Sequence, residues 1–122
     1  MAHTAGHTMT STEMEQCIQE CLNCYSLCTT TSAHCLDMGG QHASRQHQTA
    51  LIDCATLCQT SADFMLRGSP LHGRTCGLCA EACRRCEEAC RGLANGDQVM
   101  LACADACRRC GDSCERMAGM MS

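Results

Sequence analysis

The sequence predicts an all-α protein, an antiparallel up-down-up-down four-helix bundle with a cysteine-lined core. Long segments of helix-forming residues alternate with short breaks that contain glycine or proline. Within these segments cysteines recur at alternating intervals of three and four residues, which places them on one face of a helix. Short links between long helices favour antiparallel neighbours, and therefore a bundle.

Glycine, proline and capping residues set the limits of the predicted helices. A flexible N-terminal tail, residues 1–10, precedes a bundle that occupies residues 11–119. Gly39-Gly40 ends the first helix, Ser69-Pro70 provides an N-cap and a first-turn proline for the third, and Asp97 caps the fourth. The four predicted helices cover residues 11–38, 41–67, 70–94 and 97–118.

The composition indicates that sulfur-containing side chains fill the interior. Ten Leu, two Ile, one Val and one Phe in 122 residues are too few for an ordinary core. The chain has sixteen Cys and nine Met instead, and both side chains are soft and readily buried. We therefore expect the cysteines themselves to line the core.

All sixteen cysteines fall on the a/d stripe of a heptad in one of the four helices, where side chains face the bundle interior. The pattern C-x3-C-x2-C-x3-C occurs three times, at residues 17–28, 79–90 and 103–114, so three helices look like copies of one unit. The predicted metal ligands are Cys17, Cys21, Cys24, Cys28, Cys35, Cys54, Cys58, Cys76, Cys79, Cys83, Cys86, Cys90, Cys103, Cys107, Cys110 and Cys114.

The four cysteine stripes would enclose an interior lined with thiols, which we call the tube. Three kinds of chemistry are compatible with it. Structural thiols or disulfides are disfavoured, because small side chains underfill a core and an i,i+4 pair within a helix is too widely spaced for a disulfide. Zinc or iron–sulfur binding is suggested by four CxxC pairs. However, the ferredoxin cysteine run and its proline are missing, and helix formers separate the cysteines.

Cu(I) is the third candidate, because soft thiolate and thioether ligands select this ion. Two thiolates in line around one ion span about 4–5 Å, which suits each of the seven CxxxC pairs. Sixteen Cu(I) ions would neutralise sixteen thiolates, whereas four Zn²⁺ ions in separate sites would leave half of the negative charge buried. Charge balance therefore favours about one Cu(I) per cysteine.

These repeated CxxxC and CxxC spacings along four helices resemble the bacterial four-helix-bundle copper storage proteins, in particular their cytosolic branch. The resemblance extends from about Cys17 to Met117. It implies a bundle that loads many Cu(I) ions on inward-facing cysteines and assembles as a homotetramer. The second helix departs from the pattern, since Ser61 and Met65 occupy its stripe.

Several other functions are not expected. The net charge is −4 and only one Tyr and one Phe are present, so nucleic-acid binding is disfavoured. We expect a cytoplasmic protein without a membrane partner, because the N-terminal residues lack a secretory apolar region and no segment reaches 18 apolar residues. We do not expect an enzyme, since the thiols face one another, and a thiol redox protein that uses a CxxC pair stays as an alternative.

The ends of the tube suggest where metal enters. Thioether and imidazole bind Cu(I) more weakly than thiolate does, so such donors at one end of the tube can pass an ion inward without trapping it. The predicted entrance residues are Met38, His42, His47 and Met100. The opposite end also has such donors, namely Met65, His72 and Met117, but we expect apolar side chains to plug it. Those apolar side chains belong to Ile18, Phe64, Leu66 and Leu71.

Overall fold

The computed structural model describes residues 5–120 and confirms the four-helix bundle. The helices are α1 (Ala5–Met38), α2 (Arg45–Leu66), α3 (His72–Ala94) and α4 (Gln98–Met120), with a 3₁₀ turn at Gly40–Ala43. Each helix packs against two neighbours in the cyclic order α1, α2, α3, α4. No strand occurs within the described range.

The first helix starts earlier than the sequence predicts. It begins at Ala5, although residues 1–10 were expected to be a flexible tail. No proline or other strong stop separates residues 5–10 from the rest of the helix, so extending it costs less than starting a new one. Residues 1–4 lie outside the described range, and the flexibility of the tail stays a prediction.

The second helix starts four residues later than predicted, at Arg45 instead of Gln41. Gly39 and Gly40 adopt positive φ angles of 73° and 58°, and the chain then forms the 3₁₀ turn. Ser44 is the N-cap, since its side-chain oxygen accepts a hydrogen bond of 3.2 Å from the His47 backbone N–H. A cap at this position places His47 in the first turn of α2.

The other two links differ in how well they were predicted. The third helix begins at His72, two residues after Pro70, because Ser69 closes a short turn by accepting from the Leu71 N–H at 3.1 Å. Asp97 does cap α4, and its carboxylate accepts from the N–H groups of Val99 at 2.9 Å and Met100 at 3.3 Å.

The core is built almost entirely of small and sulfur-containing side chains. All sixteen cysteines are at most 1% exposed. Among the described residues Leu51 and Ile18 are the only buried Leu and Ile, and the rest of the apolar core is Ala and Met. The predicted cysteine-lined core is therefore present.

Charged groups hold the outer faces of adjacent helices together. The Arg84 guanidinium on α3 donates to Asp112 at 2.8 Å and Glu115 at 2.7 Å, both on α4. The guanidinium crosses over Gly111, where an added Cβ would lie 2.7 Å from its Nη1 atom. These contacts do not depend on the contents of the core.

We expect the reduced, metal-free protein to be helical, because helix caps, backbone hydrogen bonds and outer ion pairs are all formed without metal. Far-ultraviolet circular dichroism should show helical minima before any metal is added. Metal binding should then raise the Tm by mass action. A random-coil spectrum that becomes helical only with metal would contradict this expectation.

Candidate metal centre

The middle of the bundle brings together one thiol from each helix. The Cys54 Sγ atom lies 3.8 Å from Cys24, 3.7 Å from Cys83 and 3.9 Å from Cys107. The sulfurs of Cys24 and Cys107 are also 3.8 Å apart. Because a and d side chains all point to the bundle axis, four cysteines distant in sequence meet in one layer.

Sulfur contacts continue from this layer toward both ends. Toward the α1 N-terminus, Cys58 lies 3.7 Å from both Cys79 and Cys110. Cys110 in turn lies 3.6 Å from Cys21. Toward the α1 C-terminus, Cys28 lies 3.7 Å from Cys103 and 3.9 Å from Cys86. The thiols thus form a connected chain of sulfur atoms along the tube.

Neighbouring groups of four thiols share members. The sulfurs of Cys24, Cys54, Cys58 and Cys83 lie within 4.8 Å of one another. Those of Cys58, Cys79, Cys83 and Cys110 do so as well, so two cysteines belong to both groups. Separate four-thiolate sites cannot all be filled when their ligands are shared. The arrangement instead suits thiolates that each bridge two metal ions.

The CxxxC pairs are slightly closer than a linear two-thiolate site requires. The sulfurs of Cys24 and Cys28 are 3.9 Å apart, and those of Cys54/Cys58 and Cys110/Cys114 are 4.0 Å apart. Three sulfurs in a plane at about 2.3 Å from one ion are about 4.0 Å apart. This spacing therefore accommodates an ion with two or three sulfur ligands, as Cu(I) prefers.

The cysteines are free thiols throughout. The shortest of the contacts above is 3.6 Å, far longer than the S–S bond of about 2.05 Å. Burial, with a further contribution from the Asp97 carboxylate, raises the pKa of Cys35 to about 11. Hydrogen bonds to Cys103 and Cys86, together with burial, also raise the pKa of Cys90. At neutral pH these thiols are protonated in the metal-free protein.

One end of the tube carries the predicted entrance residues. The Cys35 Sγ atom lies 3.4 Å from His47 Nε2 and 3.5 Å from Met100 Sδ, and all three side chains are buried. The ring of His42 stands edge-on to that of His47, with centroids 6.5 Å apart. Met38 is exposed and lies outside this cluster. Burial, and secondly the neighbouring His42, lower the pKa of His47, which keeps its ring neutral.

The opposite end is less plugged than the sequence predicts. Ile18 is buried, but Leu66 and Leu71 are 64% and 49% exposed. Phe64 is half-buried, and its ring lies 4.8 Å below the Arg67 guanidinium carbon. Phe64 packs with a polar partner because α2 ends at Leu66, which leaves this turn at the surface.

Two hydroxyl side chains interrupt the thiol lining, and the cysteine spacing alone assigns them no role. Thr31 and Ser61 are fully buried, and their hydroxyl oxygens have no hydrogen-bond partner within residues 5–120. Burying an unpaired hydroxyl is costly. Their position in the a/d stripes of α1 and α2 was the available signal.

Comparison with known proteins identifies the family. Residues 10–119 match the family model described as copper storage protein. The chain belongs to the copper storage protein family. The resemblance noted from the cysteine spacings is thereby confirmed.

Solved structures of similar proteins share the bundle. A crystal structure of a Nitrosospira multiformis protein is 38% identical, with a TM-score of 0.84, over 89% of this chain and 97% of that one. Cu(I)-bound copper storage protein BsCsp3 is 30% identical, with a TM-score of 0.80, over 87% and 98%. A cytosolic copper storage protein from Streptomyces lividans, with five coppers, is 26% identical, with a TM-score of 0.85, over 92% and 97%.

A curated relative matches over a shorter region. It is the uncharacterized cysteine-rich protein YhjQ of Bacillus subtilis (strain 168), 33% identical over 71 residues, which are 55% of this chain. The match spans 62% of that relative's length. In the described part of this family member, none of the helices has the length and apolar character needed to cross a membrane.

We expect metal binding to release protons, because an ordinary thiol has a pKa of about 8.5 and is protonated at pH 7, so it must ionise to become a ligand. Anaerobic addition of Cu(I) in weak buffer at pH 7 should release about one proton per cysteine, measured with a pH-stat. Lowering the pH by one unit should weaken each binding step about tenfold. Uptake of Cu(I) with little proton release would show instead that the empty core already holds thiolates.

Proposed function

We propose that this protein stores Cu(I) as cargo on the thiolates of its sixteen cysteines, at about one ion per cysteine. The sharing of thiols between neighbouring four-sulfur groups carries this proposal. A bridging thiolate serves two ions, so when each ion takes two thiolates the number of ions equals the number of thiols. Relatives that are Cu(I)-bound support the choice of metal.

Charge supports Cu(I) over Zn²⁺ as the stored ion. Among the described residues no Lys or Arg is buried with the thiols, so bound metal must supply the compensating charge there. One monovalent ion per thiolate leaves the core neutral. Zinc in non-shared four-thiolate sites would leave about half of the thiolate charge buried, at high cost.

Storage without turnover fits the burial of the thiols. A catalytic thiol needs an accessible, electropositive site, whereas these cysteines are at most 1% exposed and contact other thiols. The family is one of copper storage proteins and not a class of enzymes. A thiol redox protein would need at least one CxxC pair open to a substrate.

We also infer a cytoplasmic homotetramer. A similar protein from Streptomyces lividans is described as cytosolic, which supports the location. Large apolar side chains on the outer helix faces offer a surface for a second copy of the chain. Those more than half exposed include Leu36, Ile52 and Leu78.

Anaerobic titration of the reduced protein with Cu(I) should saturate near 16 ions per chain, because every thiolate is used as a bridge. The Cys58→Ala variant should bind about one or two fewer ions. Its matched control is Ser61→Ala, one turn further along the same buried stripe, which should keep the full capacity. Saturation near four ions, with Zn²⁺ displacing Cu(I), would favour separate zinc sites.

Burial increases step by step along the proposed entrance. Met38 is 49% exposed, His42 is half-buried, and His47 is 3% exposed next to Cys35. The Nε2 atom of His42 is enclosed without a hydrogen-bond partner among the described residues, so it can accept an ion. We propose that Cu(I) passes Met38 and His42, and then His47 and Met100, before it reaches the first thiolate at Cys35.

Replacing Met38, His42, His47 and Met100 together with Leu or Ala should slow both loading and removal of Cu(I), while the capacity stays near 16. Stopped-flow loading and removal by a chelator measure the two rates. The control changes Met117, at the other end, to Leu. If only the control variant is slow, the entrance is at the other end and this assignment is wrong.

A further inference from the structure

The end of the tube formed by the α2–α3 link holds a second set of nitrogen and sulfur donors. We propose that His72, Met65 and Cys76 form a terminal site for one monovalent soft cation, Cu(I) in the proposed store. This inference rests on the proposed function for the identity of the ion. The site is inferred from the hydrogen bond of the His72 ring, the contact between Met65 and Cys76, and the spacing of His72 and Cys76 on one face of α3.

The ring of His72 is oriented as a metal ligand requires. Its Nδ1 atom lies 2.8 Å from the Ser69 carbonyl oxygen. A carbonyl oxygen only accepts hydrogen bonds, so Nδ1 carries the proton and Nε2 has a free lone pair. The Nε2 atom is buried and has no hydrogen-bond partner in the described chain, and the residue is only 8% exposed. Metal-binding histidines typically have this second hydrogen bond, which fixes the ring.

Two sulfur atoms complete the donor set. Cys76 lies one turn after His72 on the same face of α3, and it is fully buried. Its Sγ atom lies 3.8 Å from the Sδ atom of Met65, which is also buried. Ligands about 2.3 Å from a trigonal ion are about 4 Å apart, so this pair needs little movement to share one.

The charge of the site selects a monovalent ion. One thiolate, one thioether and one neutral imidazole carry a single negative charge, which Cu(I) or Ag(I) cancels. A divalent ion would leave a buried positive charge. The soft donors also favour these d¹⁰ ions over Mg²⁺ or Ca²⁺.

The two ends of the tube carry the same three donor types on different helices. Cys35, His47 and Met100 come from α1, α2 and α4, whereas Met65 comes from α2 and both His72 and Cys76 come from α3. Imidazole and thioether bind Cu(I) more weakly than thiolate does. The ion at His72 should therefore be bound more weakly than the ions held by thiolates alone.

The decisive measurement is the ¹⁵N resonance of His72 Nε2 in the wild-type protein, recorded by long-range ¹H–¹⁵N NMR during titration with Cu(I) or Ag(I). Coordination should move this resonance away from the position of an unprotonated ring nitrogen, while Nδ1 stays protonated. An unmoved Nε2 resonance at saturation overturns the site, whatever the capacity.

A matched variant gives a second readout. The His72→Asn amide can still donate to the Ser69 carbonyl but has no atom at the Nε2 position, so it should lower the capacity by about one ion. The control is His34→Asn, because the His34 Nε2 atom already bonds Asp97 at 2.8 Å, and its capacity should not change. Circular dichroism of each metal-free variant verifies that it folds.

The outcomes separate this site from the storage proposal. If wild-type protein saturates near four ions, Cu(I) storage fails, and the wild-type NMR titration with Ag(I) still decides whether His72 is a ligand. If wild-type protein loads about 16 ions while the Nε2 resonance does not move and His72→Asn loads the same number, storage stands and the terminal site is wrong.

Discussion

The structure depends on placing thiols where a helical bundle ordinarily places leucine. Small side chains on all four a/d stripes let the helices approach until sulfur atoms lie 3.6–4.0 Å apart. They also bury less apolar surface than leucine would, so hydrophobic burial stabilises the metal-free bundle less. Arg84 with Asp112, and Arg91 with Asp105, link α3 to α4 on the outside. These partly exposed ion pairs each contribute little stability, so bound metal can add substantially to the stability of the bundle.

A core of this kind couples metal content to protonation and stability. Without metal the thiols contribute weak S–H contacts, and burial holds the pKa of Cys35 at about 11. A bound Cu(I) ion replaces a proton and adds strong sulfur bonds between helices that were joined only by contact. Each added ion also shares thiolates with the next one, because neighbouring groups overlap at residues such as Cys58 and Cys83. Loading should therefore stiffen the bundle progressively.

The sequence was sufficient for the fold class and for the burial of every cysteine, because heptad spacing alone determines which face of a helix turns inward. Helix ends were less predictable. Gly39-Gly40 suggested that α2 starts directly after α1 ends, whereas Ser44, four residues further on, is the residue that caps α2. The contacts between sulfurs of different helices, such as Cys54 with Cys83, could not be predicted. They depend on how far one helix is shifted along the bundle axis relative to the next, and the spacing of cysteines within one helix does not determine this shift. The tautomer of His72 likewise depends on the turn at Ser69, which only the three-dimensional structure reveals.

Because α2 has few cysteines, the metal-binding donors change from the middle of the tube to its ends. Its buried stripe reads His47, Leu51, Cys54, Cys58, Ser61, Met65, so this helix offers thiols only in the middle and weaker donors or none toward the ends. Four helices therefore surround the central layers with thiolate, whereas the end layers mix thiolate with imidazole and thioether. Because thiolate binds Cu(I) most strongly, an ion that enters past His47 and Met100 gains affinity as it moves inward. A second thiol pair on α2 would add capacity but would replace the weaker donors through which ions leave.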